Sequence, residues 1–222
     1  MARKKNMEKR NEILKSAYHM FCEKGYDEVF VREIADEVGI SKALFQHYFT
    51  KKIDILEIML KELLESSFKY VDCIIAKEES IYLRLSMYAN LFFETVIFQN
   101  DLYKFIVNII SNKELLKMWV KIIYEWLSTI KNKEMGNISE REFQIALSFS
   151  MAGGTELLVL NEALNISASF IAEQMVTSFM RILNNDQKDI QYIITETNKK
   201  LDNIDFDDFN QSCRENIFWY RE

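Results

Sequence analysis

Residues 41–52 gather a hydroxyl, three lysines, an amide, an imidazole and a phenol, carried by Ser41, Lys42, Gln46, His47, Tyr48, Lys51 and Lys52. Cations, hydroxyls and helix N-termini hold phosphates, whereas lysines and amides also reach base edges. The set therefore suits recognition of duplex DNA. Other chemistries find less to work with. There are only two histidines, His19 and His47, and no G-x-S-x-G, H-E-x-x-H or Gly-rich phosphate loop. No catalytic residue, no metal and no cofactor are expected. The three cysteines, Cys22, Cys73 and Cys213, are odd in number and far apart, which fits reduced thiols in a cytoplasmic protein.

A recognition set needs a rigid short helix beneath it, and the surrounding pattern supplies one. The chain has no proline and five glycines, too few turn formers for a sheet-rich fold, so an all-α architecture is expected. Apolar residues recur at helical spacing over 7–24 and again over 31–38, with Gly25 and Gly39 as stops. Ser41 is placed to cap a helix over 42–48 that exposes Lys42, Gln46 and His47 and turns Leu44 and Phe45 inward. Two short helices joined by a Gly-containing turn make a helix-turn-helix. Residues 1–53 hold 11 Lys+Arg against 8 Asp+Glu, while the rest of the chain holds 17 against 26. A basic head on an acidic body fits a polyanion partner for the head alone.

The stretch from Ile13 to Leu56 resembles the DNA-binding head of TetR-family (tetracycline-repressor-like) transcriptional regulators. The likeness runs through Ala17, Phe21, Gly25 and Tyr26, then Ile34-Ala35 and Gly39-Ile40-Ser41, and closes with Tyr48-Phe49 and Lys52. It implies that Arg32 contacts base or phosphate and that Ser41, Lys42 and Ala43 lead the recognition helix. It further implies that Gln46, His47 and Tyr48 face the DNA backbone and that Lys52, beside Lys51, binds phosphate. Phe30 stands where the family has a Ser/Thr cap, Gln46 where it commonly has Tyr, and Ile53 where it often has Glu. Arg3, Lys4 and Lys5 are either a solvated tail or a DNA-touching arm.

After Thr50 the expected helices lengthen: 54–76, 81–98, 102–110, 112–134, 140–164 and 167–183, with Ser111-x-x-Glu114 and Ser139-x-x-Glu142 as capping boxes and Gly136 as a break. By resemblance, this is a ligand-sensing and dimerisation body. The organisation expected is a head at 1–53, a body at 54–185 and a helical extension at 186–222 packed on the body. That extension carries the stripe Ile190, Ile193, Ile194, Thr197 and Leu201, and then Phe206, Phe209, Phe218, Trp219 and Tyr220. By resemblance, 140–164 and 167–183 form the dimer interface, where mid-helix Gly153 and Gly154 either allow close approach or mark a local kink.

Ligand-lining candidates are Phe92, Phe93, Tyr103, Trp119, Ile123, Trp126 and Phe149, with Asn90 or Glu94 as polar anchors. Trp119, Ile123 and Trp126 form a stripe that is either core or pocket wall. Glu94 and Glu156, set among apolar residues, either emerge at a surface or face a cavity, since an unpaired buried carboxylate is costly. A lipophilic cation is the first guess for the effector, and a fatty or aromatic acid the second.

The expected protein is thus a homodimeric, ligand-responsive regulator of double-stranded DNA. It is read as a repressor released by a hydrophobic or amphipathic small molecule, with no membrane association. The alternatives are an activator of the same family or a helical small-molecule-binding protein whose head no longer binds DNA. No apolar run approaches the ~18 residues of a membrane span, and the basic N-terminus lacks the apolar core of a secretory signal.

Overall fold

The computed structural model describes residues 2–76, 79–129, 138–217 and 220, with side chains from residue 7 onward. Gly136, Phe218 and Trp219 lie outside the described residues, as do the side chains of Arg3, Lys4 and Lys5. Every regular element among the described residues is a helix.

Three helices form the head: α1 (Ala2–Lys24), α2 (Val31–Glu37) and α3 (Lys42–Tyr48). Ile13, Leu14, Ala17 and Phe21 of α1 close on Val29, Ile34, Ala35, Phe45 and Phe49, all almost fully buried. The turn between α2 and α3 follows from one residue. Gly39 sits at φ +67°, a conformation that favours glycine. There its N–H reaches Asp36 O at 3.1 Å and that of Ile40 reaches Ala35 O at 2.9 Å, a Schellman stop that redirects the chain into α3.

The body comprises α4 (Lys52–Ile74), α5 (Ile81–Phe98), α6 (Asn100–Ser111), α7 (Lys113–Ser128), α8 (Glu140–Val159), α9 (Asn161–Leu164) and α10 (Ala168–Ile182). Helix α5 is buried nearly all round, as its predominantly apolar sequence requires, and α4, α6 and α10 pack around it. Helix α10 lies between α5 and α8, and α6 carries the body against α1 of the head. The box at Ser139 forms as expected: its hydroxyl accepts from Glu142 N–H at 3.2 Å and Glu142 accepts from Ser139 N–H at 3.0 Å.

Two local expectations need correction. The residue capping α7 is Asn112, whose side chain accepts from the N–H groups of Glu114 and Leu115, because α6 runs one residue further and ends on Ser111. The Ser111 hydroxyl donates back to Val107 O instead. The segment 140–164 is also not continuous, since the chain breaks at Leu160 and ends α9 on left-handed Asn165.

Beyond Asp186, which caps it, α11 (Gln187–Leu201) lies on α5 with Ile190 and Ile193 buried. Thr197 of α11 donates to the Ser86 hydroxyl at 2.8 Å. Helix α12 (Phe206–Asn216), a separate element in what reads as an acidic tail, packs Phe209 and Cys213 against α4.

Candidate nucleic-acid interface

Helix α3 is fixed from both ends. Ser41 accepts from Leu44 N–H at 3.1 Å, which satisfies one orphan donor of the first turn, and buried Phe45 and Phe49 anchor the inner side. Lys42, Ala43, Gln46 and His47 are left exposed, and Tyr48 half-exposed, on a platform that cannot rotate without unpacking the two rings. Leu44, expected to turn inward, is 42% exposed. Phe45 already fills the space between α3 and the head core, and Leu44 falls one step round the helix from it.

Arg32, on the first turn of α2, is exposed and reaches Asp36 at only 3.8 Å on open surface. Such an exposed pair is worth little and releases its guanidinium readily. A shallow groove of about 450 Å³ joins Arg32 to Lys42, Gln46 and Lys52, with Val29, Phe30, Val31 and Thr50 completing its walls. Four residues from three helices, each assigned to DNA by type or by resemblance, therefore share one surface. His47 and Tyr48 lie beside each other at the far end of α3, their ring centroids 5.8 Å apart. Lys51 is exposed, and its N–H donates to Asp54 at 2.8 Å, capping the start of α4.

Lys52 has a second occupation. Its ammonium donates to Tyr26 O at 2.6 Å and Val29 O at 2.8 Å and sits 4.0 Å above the Tyr26 ring. Desolvation lowers its pKa from the ordinary lysine value. Two of its three protons are thus committed to holding the α1–α2 loop on α4. Phe30 and Thr50 were not anticipated in the groove. Phe30 is 67% exposed. The helix cap it cannot supply is made in part by Glu33, whose carboxylate accepts from Phe30 N–H at 2.7 Å and is held below the ordinary glutamate pKa first by that bond and then by Lys24. The signal for Phe30 was its mismatch with a capping position; Thr50 gave none.

The ligand-lining candidates divide sharply. Phe92, Phe93, Trp119, Ile123 and Trp126 are buried, but against one another. The Trp119 indole N–H donates to Tyr88 Oη at 3.0 Å, Phe92 meets Trp119 edge-on, and Phe68 stacks on Trp126 with centroids 4.2 Å apart. The stripe is core. Asn90 is buried, and its amide donates to Ser86 O at 2.9 Å within its own helix. Tyr103 is half-buried and donates to Leu158 O at 3.3 Å.

Two candidates are corrected outright. Glu94 is solvent-exposed, because its position on α5 falls on the narrow strip the neighbouring helices leave open. Phe149 is 64% exposed, because α8 turns it away from α5 and α10. Glu156 is exposed as well. Arg84 is committed to an ion pair with Asp72 and to the carbonyls of Ile75 and Ala76, where it closes the end of α4.

Phe149 has company on the outer face of α8: Ile145, Ala152 and Gly153 are exposed beside it, as is Phe170 on α10. The two mid-helix glycines differ in role. A Cβ on Gly154 would meet the Met175 side chain at 3.2–3.4 Å, so this glycine lets α8 and α10 approach within one chain. Gly153 faces open space.

Residues 13–59 match the sequence model described as bacterial regulatory proteins, tetR family. Over 131 residues the chain is 31% identical to the HTH-type transcriptional repressor KstR2 of Mycolicibacterium smegmatis. That match spans 53% of this chain and 64% of the relative, so under two thirds of the relative's length is covered. Among solved structures, RolR in complex with its ligand resorcinol superposes with a TM-score of 0.59 at 15% identity, over 86% of this chain and 95% of that one. SmeT, the repressor of the Stenotrophomonas maltophilia multidrug efflux pump SmeDEF, gives 0.57 at 13% identity, over 78% and 88%. At such identities these likenesses speak for the fold. No described helix is long and apolar enough to cross a membrane, and no described cluster of His, Cys, Asp or Glu could hold a metal ion.

Proposed function

We propose that this chain, whose residues 13–59 match the tetR family of bacterial regulatory proteins, is a cytoplasmic, homodimeric repressor released from its operator by a hydrophobic or amphipathic small molecule. The observation that carries the DNA-binding half is the shared surface of Arg32, Lys42, Gln46 and Lys52 over an anchored α3. In this reading residues 1–53 are the head, 54–185 the sensing and dimerising body, and 186–222 an extension of the body. Ser41, Lys42 and Ala43 lead α3 into the major groove, and Lys42 and Gln46 read base edges. Arg32, His47, Tyr48 and Lys51 hold phosphates, and Lys52 presents its remaining proton to one while it braces the loop.

The exposed faces of α8 and α10 supply the dimer interface. Ile145, Phe149, Ala152, Gly153 and Phe170 offer an apolar patch shared by the two helices. A two-fold axis through that patch presents two heads to one inverted repeat. A ligand that favours a dimer with wrongly spaced heads lowers operator affinity by the same coupling free energy, typically ~1–3 kcal/mol. RolR with resorcinol and SmeT with its efflux pump are examples of regulators on this fold that fit such an effector. No catalytic step is required.

The test is the salt dependence of binding to a labelled duplex. Arg32→Ala is expected to weaken all sequences alike and to flatten the slope of log K on log salt by about 0.9 per lost phosphate contact. An unchanged affinity and slope would remove Arg32 from the interface.

A further inference from the structure

Helix α7 carries a face that the head does not use and that the core covers only in part. Half-buried Leu116, Val120 and Tyr124 follow one another at four-residue spacing and make an apolar floor. Lys113, Lys117 and Lys121 form the adjoining row, at the same spacing and exposed. Gln144 and Ser148 of α8 stand opposite, and the groove between the helices has a volume of about 470 Å³. That falls within the roughly 300–1,000 Å³ of small-molecule sites.

The charges say what suits it. Lys121 pairs with Glu125 at 3.6 Å on open surface, while Lys113 and Lys117 make no ion pair among the described residues. Glu140 accepts from the Gln144 amide at 3.1 Å and does not line the groove, whose lining holds no carboxylate. Lysine stems lie along apolar surface and keep their heads in water, so the row sets cationic heads along one edge of an oily floor. An apolar cation would meet three like charges here, and a neutral ligand would leave them unused.

We propose that this groove binds an amphipathic monoanion, an aliphatic or aryl carboxylate, with its tail on Leu116, Val120 and Tyr124 and its carboxylate between Lys113 and Lys117. We assign it as the effector site; that part rests on the repressor reading above. Helix α7 packs on α6, and α6 on α1 of the head, so the occupant sits two helices from the DNA-binding unit.

The experiment is calorimetric titration of the full chain with dodecanoate and with dodecyltrimethylammonium, which share a tail and differ in charge. The anion is expected to bind about tenfold tighter or more, and Lys113→Glu with Lys117→Glu to remove about tenfold of that affinity. Val120→Trp, which fills the floor, should abolish binding. Should Val120→Trp fail to fold, the double lysine variant, at two exposed positions, carries the test. Equal affinity for the two probes, or dodecanoate binding retained in the folded variants, overturns the site. Dissociation of the dimer by dodecanoate in sedimentation would make a second copy the natural occupant and overturns it too. Release of a labelled duplex by dodecanoate supports the effector role. Binding without release leaves the anion site standing and overturns that role alone.

Discussion

Lys52 shows how one residue serves two masters. Its family position implies a phosphate contact, yet its ammonium is spent on the Tyr26 and Val29 carbonyls and the face of the Tyr26 ring. Lys52→Met keeps the stem and removes the charge. It is expected to cost about 1–2 kcal/mol of stability without DNA present, since hydrogen bonds from a charged donor are worth that much when partly buried. Unfolding in urea measures it, and an unchanged midpoint with an altered salt slope would return Lys52 wholly to phosphate binding. The thiols make a second residue-scale case. Burial pushes Cys22 up to about 12 and Cys213 up to about 11, while Cys73 is exposed. A thiol reagent at about neutral pH should therefore label Cys73 rapidly and the other two only on unfolding. A raised folded pKa means that the native state holds its proton where the unfolded chain has lost it. Stability from these groups is thus intact below the ordinary thiol value of 9.0 and declines as pH rises towards about 12. Cys22→Ala should flatten that decline in urea midpoints; a slope as steep as the parent's would place the alkaline loss elsewhere.

At the scale of elements, what was legible followed from spacing and what was not followed from neighbours. The bounds of α3 and α5 match their sequence patterns, because Ser41 and Ser80 cap them and the apolar period runs unbroken. Ser111 misled because two candidate caps are adjacent and only the length of α6 decides between them. Leu44, Glu94 and Phe149 misled for a shared reason. Periodicity says that a helix has an apolar side, but the angle at which it meets its neighbours decides which borderline residue is covered. That Arg32, Lys42, Gln46 and Lys52 share a surface was legible through the resemblance and not from spacing alone, and their convergence depends on the turn at Gly39. The outer face of α8 carries the element-scale prediction. Gly153→Trp adds a large ring where a Cβ meets nothing within the chain, so the monomer should fold normally by circular dichroism. If α8 and α10 form the dimer interface, sedimentation should show this variant as a monomer at micromolar concentration. A Gly153→Trp dimer as tight as the parent would move the interface to another surface.

For the whole molecule, the arrangement of helices sets a polar surface and an apolar one on different elements. The three-helix head presents polar groups from an anchored platform, α6 joins it to the body, and the body buries its aromatic residues around α5 and leaves an apolar face on α8. The extension adds α11 and α12 to the α5 and α4 sides, where they cover apolar surface and leave the α8 face open. In the proposed reading, two-fold assembly through α8 and α10 would turn a modest single-head footprint into recognition of a repeated half-site, with Lys42 choosing its sequence. The most direct test of that account is selection of duplexes from a random-sequence library by the parent protein and by Lys42→Ala. The parent is expected to enrich an inverted repeat, and Lys42→Ala to relax the base preference at one position of each half-site, a contact worth about 1–3 kcal/mol of discrimination. No enriched sequence, or the same repeat with the same preferences from both proteins, would contradict it.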